Sequence, residues 1–199
     1  GPAGLYFSIS MKLLDPSCEV VVLERNKADD TFGWGVVLSD ETLENLHAND
    51  PISAASIRKN FAYWDDIALH FRGERLVSTG HGFCGIGRKK LLMLLQERAH
   101  SLGVDLRYET EVESAEAYRG EYDVVVANDG LNSKTRMLYK DTFKPAVDER
   151  LCQFVWLGTH QTFKDAFTFI FEETKHGRVW VHAYQFDGNT ATFIVECTQ

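Results

Sequence analysis

The chain has 199 residues, 44 % hydrophobic and 25 % charged, enough apolar side chain to bury one large core or two smaller ones. Its 29 acidic against 21 basic side chains leave a net charge of −8, which argues against a nucleic-acid backbone as partner. No apolar run nears the ~20 residues of a membrane span and no signal peptide is visible, while Cys18, Cys84, Cys152 and Cys197 lack the spacing of a zinc site and read as reduced thiols of a cytoplasmic protein.

Gly1-Pro2-Ala3-Gly4 opens the chain as the back half of a GxGxxG fingerprint, with Gly1 and Gly4 in the second and third glycine positions. There the second glycine lets backbone approach a pyrophosphate and the third lets helix pack on strand. No residue supplies the first glycine or its strand, so the opening reads either as an internal piece of a longer protein or as a leftover of processing. Residues 5–24 favour the fingerprint. Leu5, Ile9, Met11 and Leu14 are spaced for a buried helix face, which Asp15-Pro16-Ser17 stops. Glu19 to Leu23, with three consecutive valines, reads as a strand buried on both faces. It ends at Glu24, about 20 residues after the glycines, where a carboxylate can accept hydrogen bonds from a ribose diol.

Residues 30–39 (TFGWGVVLS to Ser39) read as a glycine-bearing loop, followed by a helix from Asp40-Glu41 with Leu43 and Leu46 on one side. Two readings of that loop stand side by side: a cofactor-contacting segment, or a surface loop with one buried tryptophan. From Ile67 to Ser78 two short strands flank a turn at Phe71–Arg75. Gly85-Ile86-Gly87-Arg88 then leads into an apolar helix over 89–101 with Leu91, Leu92, Leu95 and Ala99 as its buried stripe, and a strand over 104–108. Arg88 sits at the helix entrance, where the dipole disfavours a cation unless an anion such as a phosphate is close; the alternative is a solvent-paired arginine.

Tyr122 to Ala127, again with three consecutive valines, reads as a second strand buried on both faces, running into NDGLNSKTR. In an open parallel sheet, ligands gather beyond the carboxyl ends of the strands, which places Asp129 and Gly130 toward a cofactor. Gly130 supplies a positive φ or a close approach, and Ser133 caps a short helix. From Cys152 the texture changes to strand-like runs over 154–160, 167–173, 178–185 and 190–197, with a hairpin turn at Asp187-Gly188-Asn189. Period-two alternation puts Trp180, His182 and Tyr184 on one face.

The combination of GPAG, a strand ending in Glu24-Arg25, GIGRKKLL and NDGLNSKTR resembles the FAD-binding half of the single-component aromatic hydroxylases of the p-hydroxybenzoate hydroxylase type. GWGVVLSDETLENL, HGFCGIGR, FVWLGT and VHAY are most similar to the salicylyl-CoA and 2-aminobenzoyl-CoA members, with the tryptophan hydroxylase of violacein synthesis a near relative. The resemblance implies an α/β fold: a Rossmann-like FAD-binding domain with a parallel sheet (1–66 and 84–150) and a mostly antiparallel β-sheet substrate domain (67–83 and 151–199), both incomplete. A later GD segment that contacts the ribityl chain in such enzymes is expected past Gln199. Cofactor contacts carry over to Gly1, Ala3, Gly4, Glu24, Arg25, Gly35, Val36, Arg88, Val112, Asp129 and Gly130, and substrate contacts to His182 and Tyr184, with a buried, satisfied histidine as the other reading of His182.

The implied activity is FAD- and NAD(P)H-dependent hydroxylation of an aromatic ring by a flavin C4a-hydroperoxide formed from dioxygen, on an aryl-CoA thioester, with a free indole or tryptophan-like substrate or a non-catalytic nucleotide-binding module as alternatives. The flavin does the chemistry in such a reaction and the protein binds, orients and keeps water away. No catalytic nucleophile or metal is therefore expected, and the seven histidines show no ligand spacing. A plain NAD-dependent dehydrogenase accounts for Gly1, Gly4 and Glu24 but not for NDGLNSKTR or the late aromatic sheet.

Overall fold

Proline fits the first turn of a helix because its missing N–H has no partner there, and α1 (Pro2–Leu14) begins at Pro2 with Gly1 as its N-cap. The computed structural model describes residues 1–198. The chain forms two units, Gly1–Asp30 with Leu92–Glu149, and Thr31–Leu91 joined by the residues from Arg150 on. Residues 31–66 and 84–91, grouped with the cofactor domain on sequence, thus fold with the β-rich unit.

In the first unit, α1 buries Leu5, Ser8 and Ile9, while Leu14 at its end is 81 % exposed and lies off the expected face. Strand β1 (Val21–Leu23) pairs in parallel with the later strand β7 (Asp105–Arg107), Val22 opposite Leu106. Its valines are half-buried, not enclosed on both faces as the run suggests, because this sheet has two strands. Between the two strands in sequence comes α4 (Arg88–Ser101), with Leu95 and Ala99 buried. After β7 come a 3₁₀ turn (Ala115–Tyr118), α5 (Lys134–Leu138) and α6 (Lys140–Phe143).

The valine run 124–126 departs from the sequence expectation. Residues 123–130 form no strand, and Val124 is 73 % exposed. A parallel strand is held by backbone hydrogen bonds to its neighbours; among the described residues no strand pairs with this segment, whose margin carries only an isolated bridge between Arg119 and Tyr122.

The second unit holds two sheets. Half of the expected 30–39 loop is strand β2 (Gly35–Ser39), paired with β6 (Phe83–Gly87), which also pairs with β3 (Ala62–Trp64). α2 (Asp40–Asn49) is capped by Ser39, whose hydroxyl accepts from Thr42 N at 3.2 Å. α3 (Pro51–Arg58) is capped by the buried Asp50, which accepts from Ile52 N and from the Ser53 hydroxyl at 2.6 Å. The larger sheet has six strands, in the order β5 (Glu74–Ser78), β4 (Ile67–Phe71), β9 (Phe167–Thr174), β10 (Gly177–Gln185), β11 (Ala191–Cys197), β8 (Gln153–Thr159). Its pairings are antiparallel apart from β4 with β9. The turn between β10 and β11 is held by Asp187, whose Oδ1 accepts from Asn189 N at 2.8 Å and Thr190 N at 2.7 Å. A mixed α/β fold with parallel and antiparallel sheets is therefore the architecture of the chain. Among the described residues no helix is long and apolar enough to cross a membrane.

Candidate functional site

In the first unit, three segments read from sequence converge. The start of α1 and the end of β1 meet where Gly1 N lies 2.8 Å from Glu24 Oε2. The other oxygen, Oε1, accepts from the backbone and side-chain nitrogens of Asn26, each at 3.0 Å. Partial burial opposes ionisation of the Glu24 carboxyl, and the hydrogen bonds from Asn26 favour it. Glu24 is anchored to β7 by its own N–H, which donates to Arg107 O at 2.9 Å. The third segment comes after the valine run: a Cβ on Gly4 would rest 3.5 Å from the Asn128 side chain, so the glycine turn and Asn128-Asp129-Gly130 are neighbours.

Gly130 takes φ +79°, a conformation that disfavours any other residue. Asp129 Oδ2 accepts from Thr135 N at 3.2 Å, and Ser133 Oγ caps α5 by accepting from Arg136 N at 2.9 Å. Burial opposes ionisation of Asp129, yet its hydrogen bonds from Ser133 and Thr135 hold the carboxyl below the ordinary carboxylate range. Ala3 and Arg25 are exposed beside this cluster in sequence, and Val112 is half-buried between Glu111 and Glu113, both of which bind Lys134 Nζ, at 2.9 and 3.2 Å. A helix N-terminus, an anchored carboxylate and a glycine turn together offer donors for phosphate and an acceptor for a sugar diol.

In the second unit, Gly35 and Val36 open β2, opposite Gly87 and Ile86. Gly35 is pinned on both sides, its N–H donating to Thr192 Oγ1 at 3.0 Å and its carbonyl accepting from the Tyr184 hydroxyl at 2.8 Å. Beside it two tryptophans interlock. The Trp156 ring covers Gly33 so closely that a Cβ there would sit 2.5 Å from Cζ3, and the Trp34 ring covers Gly158 at the same distance from Cδ2. Arg88 joins them: its N–H donates to Trp34 O at 2.8 Å, and its guanidinium lies 6.0 Å from the Trp156 ring centroid. Among the described residues Arg88 makes no salt bridge, and the buried Trp156 Nε1 has no acceptor. Two donors without an acceptor at the entrance of α4, one of them cationic, fit an anionic group. Sequence reasoning misses the tryptophan interlock; its one local trace is the Trp–Gly proximity shared by FGWG and FVWLG.

Trp180, His182 and Tyr184 do share a face of the larger sheet, since they stand opposite Glu196, Ile194 and Thr192 on β11. Their surroundings differ. Tyr184 is buried, stacked on Trp64 at 6.2 Å and edge-on to Phe167 at 5.3 Å, and its hydroxyl is spent on Gly35; burial pushes that hydroxyl's ionisation up. His182 keeps 29 % of its side-chain surface and meets Phe169 edge-on at 5.0 Å. No group of three or more metal-ligating side chains occurs among the described residues, and the four cysteines are unbridged.

No family model matches the chain. It is 43 % identical over 196 residues to a salicyloyl-CoA 5-hydroxylase of a Streptomyces species, covering 98 % of this chain and 38 % of that protein. It is 33 % identical over 203 residues to the protodeoxyviolaceinate monooxygenase of Chromobacterium violaceum, covering 53 % of that protein. The chain thus spans about two-fifths to half the length of these relatives. Among solved structures, its fold matches 2-methyl-3-hydroxypyridine-5-carboxylic acid oxygenase with a TM-score of 0.81 at 19 % identity, over all of this chain and 57 % of that one. It also matches CtdE in complex with FAD and a substrate, with a TM-score of 0.72 at 16 % identity, over 55 % of that chain.

Proposed function

We propose that this chain, homologous over its length to the FAD-dependent aromatic hydroxylases, forms the FAD-binding and part of the substrate-binding portion of a monooxygenase that hydroxylates an aromatic acid carried as its CoA thioester. The observation that carries this reading is the 43 % identity to a salicyloyl-CoA 5-hydroxylase across 98 % of the chain. Each unit by itself supports it: in the first, a carboxylate 2.8 Å from the start of α1 suits a ribose diol, and in the second, Arg88 with Trp156 Nε1 suits an anionic group. FAD, when bound, supplies the electrons taken from NAD(P)H and the activation of dioxygen.

The protein's own part is binding and orientation. The N-terminal turn of α1, with Gly1, Ala3 and Gly4, offers backbone donors and room for a pyrophosphate; Glu24 accepts from sugar hydroxyls, with Arg25 beside it at the surface. Val112, Asp129 and Gly130 complete that end, Asp129 keeping its carboxylate ionised through the hydrogen bonds of the α5 cap. Gly35 and Val36 present backbone on β2, and Arg88 neutralises charge. On the aromatic sheet face Tyr184 buttresses Gly35, and His182 accepts a hydrogen bond from a ring hydroxyl or amino group.

The deciding experiment is a visible spectrum of the purified protein together with NAD(P)H oxidation and product analysis on salicyloyl-CoA and 2-aminobenzoyl-CoA. Bound flavin and a hydroxylated thioester are the expected result. A colourless protein, inactive on both, overturns the reading. The 33 % identity to a protodeoxyviolaceinate monooxygenase supports a second one, and turnover of an indole-type substrate in place of the thioesters would select it.

A further inference from the structure

One face of the six-stranded sheet is an aromatic wall with a histidine and a carboxylate set into it. Cross-strand partners point to the same side, so Phe169 and Phe171 on β9, Trp180 and His182 on β10, Ile194 and Glu196 on β11, and Phe154 on β8 share this face. Toward Tyr184 the wall is closed by Trp64 and Gly35; toward Trp180 it is open, with Phe171 and Phe154 exposed. At that open end the Glu196 side chain, 24 % exposed, sits diagonally across from His182, its Oε1 3.6 Å from Nδ1. Its other oxygen, Oε2, lies 3.8 Å from the thiol of Cys152. Burial and the Glu196 charge push that thiol up, so it stays a proton donor and steadies the carboxylate from the far side.

We propose that Glu196 is a positioning residue which keeps the proton of neutral His182 on Nδ1, so that Nε2 is presented to the aromatic wall as an acceptor for a ring-bound hydroxyl or amino group. A carboxylate facing Nδ1 stabilises the tautomer protonated there, and the other ring nitrogen is then an acceptor. The 3.6 Å separation is longer than a hydrogen bond, and is of the kind that tightens to one when ligand is bound. Phe169 and Phe167, edge-on to the imidazole at 5.0 and 6.4 Å, hold the ring plane upright.

The pair also selects. One acceptor beside one negative charge takes a hydrogen-bond donor and repels a free ring carboxylate, so an aromatic acid enters best when its carboxyl is masked as a neutral thioester. This specificity rests on the reading of His182 as a ring contact; the tautomer assignment does not.

The test uses the ¹⁵N-labelled holoprotein, with the His182 ring signals assigned by their loss in His182→Gln. Long-range ¹H–¹⁵N correlation without ligand is expected to show the Nδ1–H tautomer in wild type and in Glu196→Gln, whose amide oxygen can still accept, and the Nε2–H tautomer in Glu196→Leu. The dissociation constant of salicyloyl-CoA, read from the flavin spectrum, is expected to rise about tenfold in Glu196→Leu and little in Glu196→Gln, while that of benzoyl-CoA, which lacks the donor, holds. An Nε2–H tautomer in wild type, or an Nδ1–H tautomer surviving in Glu196→Leu, overturns the proposal. A tautomer that tracks Glu196 while both thioesters weaken equally leaves the positioning intact and overturns the ring contact. Failure of turnover alone touches the proposed activity and not the pair.

Discussion

Asp129 shows how a surface carboxylate is tuned by its own loop. Its hydrogen bonds come from residues four and six positions on, at the cap of α5, and they hold the carboxyl below its ordinary 3.8. A group depressed in the folded state contributes stability that is present above the unfolded value and lost as pH falls through the folded one. Between pH 5 and pH 2, therefore, Asp129→Asn is expected to lose stability less steeply than wild type, measured by denaturant titration at stepped pH; parallel slopes would remove the loop's hold on the carboxylate. Cys84 is tuned the opposite way: buried on β6, its thiol is pushed up to about 11 by desolvation and stays protonated at neutral pH. Sequence spoke clearly of Asp129, Gly130 and Ser133, because turn and cap chemistry is local. It said nothing of Glu196, whose meaning comes from a strand 14 residues away from His182 in the chain.

The short strand β2 is the element on which the second unit is braced. Gly35 carries hydrogen bonds to Thr192 and Tyr184, and a Cβ there would meet the buried Phe186 ring at 2.6 Å. Gly35→Ala is accordingly expected to cost about 1–3 kcal/mol, the usual range for overpacking. Gly188→Ala, with open space around the added methyl, is its control. Equal melting temperatures for the two variants would show that Phe186 yields freely. The 30–39 stretch reads as a loop because glycine and aromatics dominate it, and its second half is a strand because β6 offers a matching edge, Val37 opposite Gly85 and Leu38 opposite Cys84. The four late strands and the β4–β5 hairpin fall where β-branched and aromatic runs between turn signals put them. Local composition is enough for a hairpin, since its partner strand is adjacent in sequence.

Across the whole chain, order tracks pairing more than hydropathy. The strands β9, β10 and β11 are paired along their length, whereas the valine run 124–126 carries a comparable apolar signal and has no partner strand among the described residues. Hydrogen exchange monitored by mass spectrometry is expected to protect 179–197 for far longer than 123–130. Equal protection would mean that the valine segment finds a partner strand in solution. The fold class, the limits of α1 and α4, the late antiparallel sheet and the glycine, acid and cap residues of the first unit are written in the residue order, because propensity, caps and turns act over a few neighbours. Packing alone decided that Trp34 and Trp156 interlock over glycines beside Arg88, and that Glu196 faces His182. Each of these depends on a hydrogen-bonding edge or a packing partner supplied from far along the chain, and no local pattern encodes it.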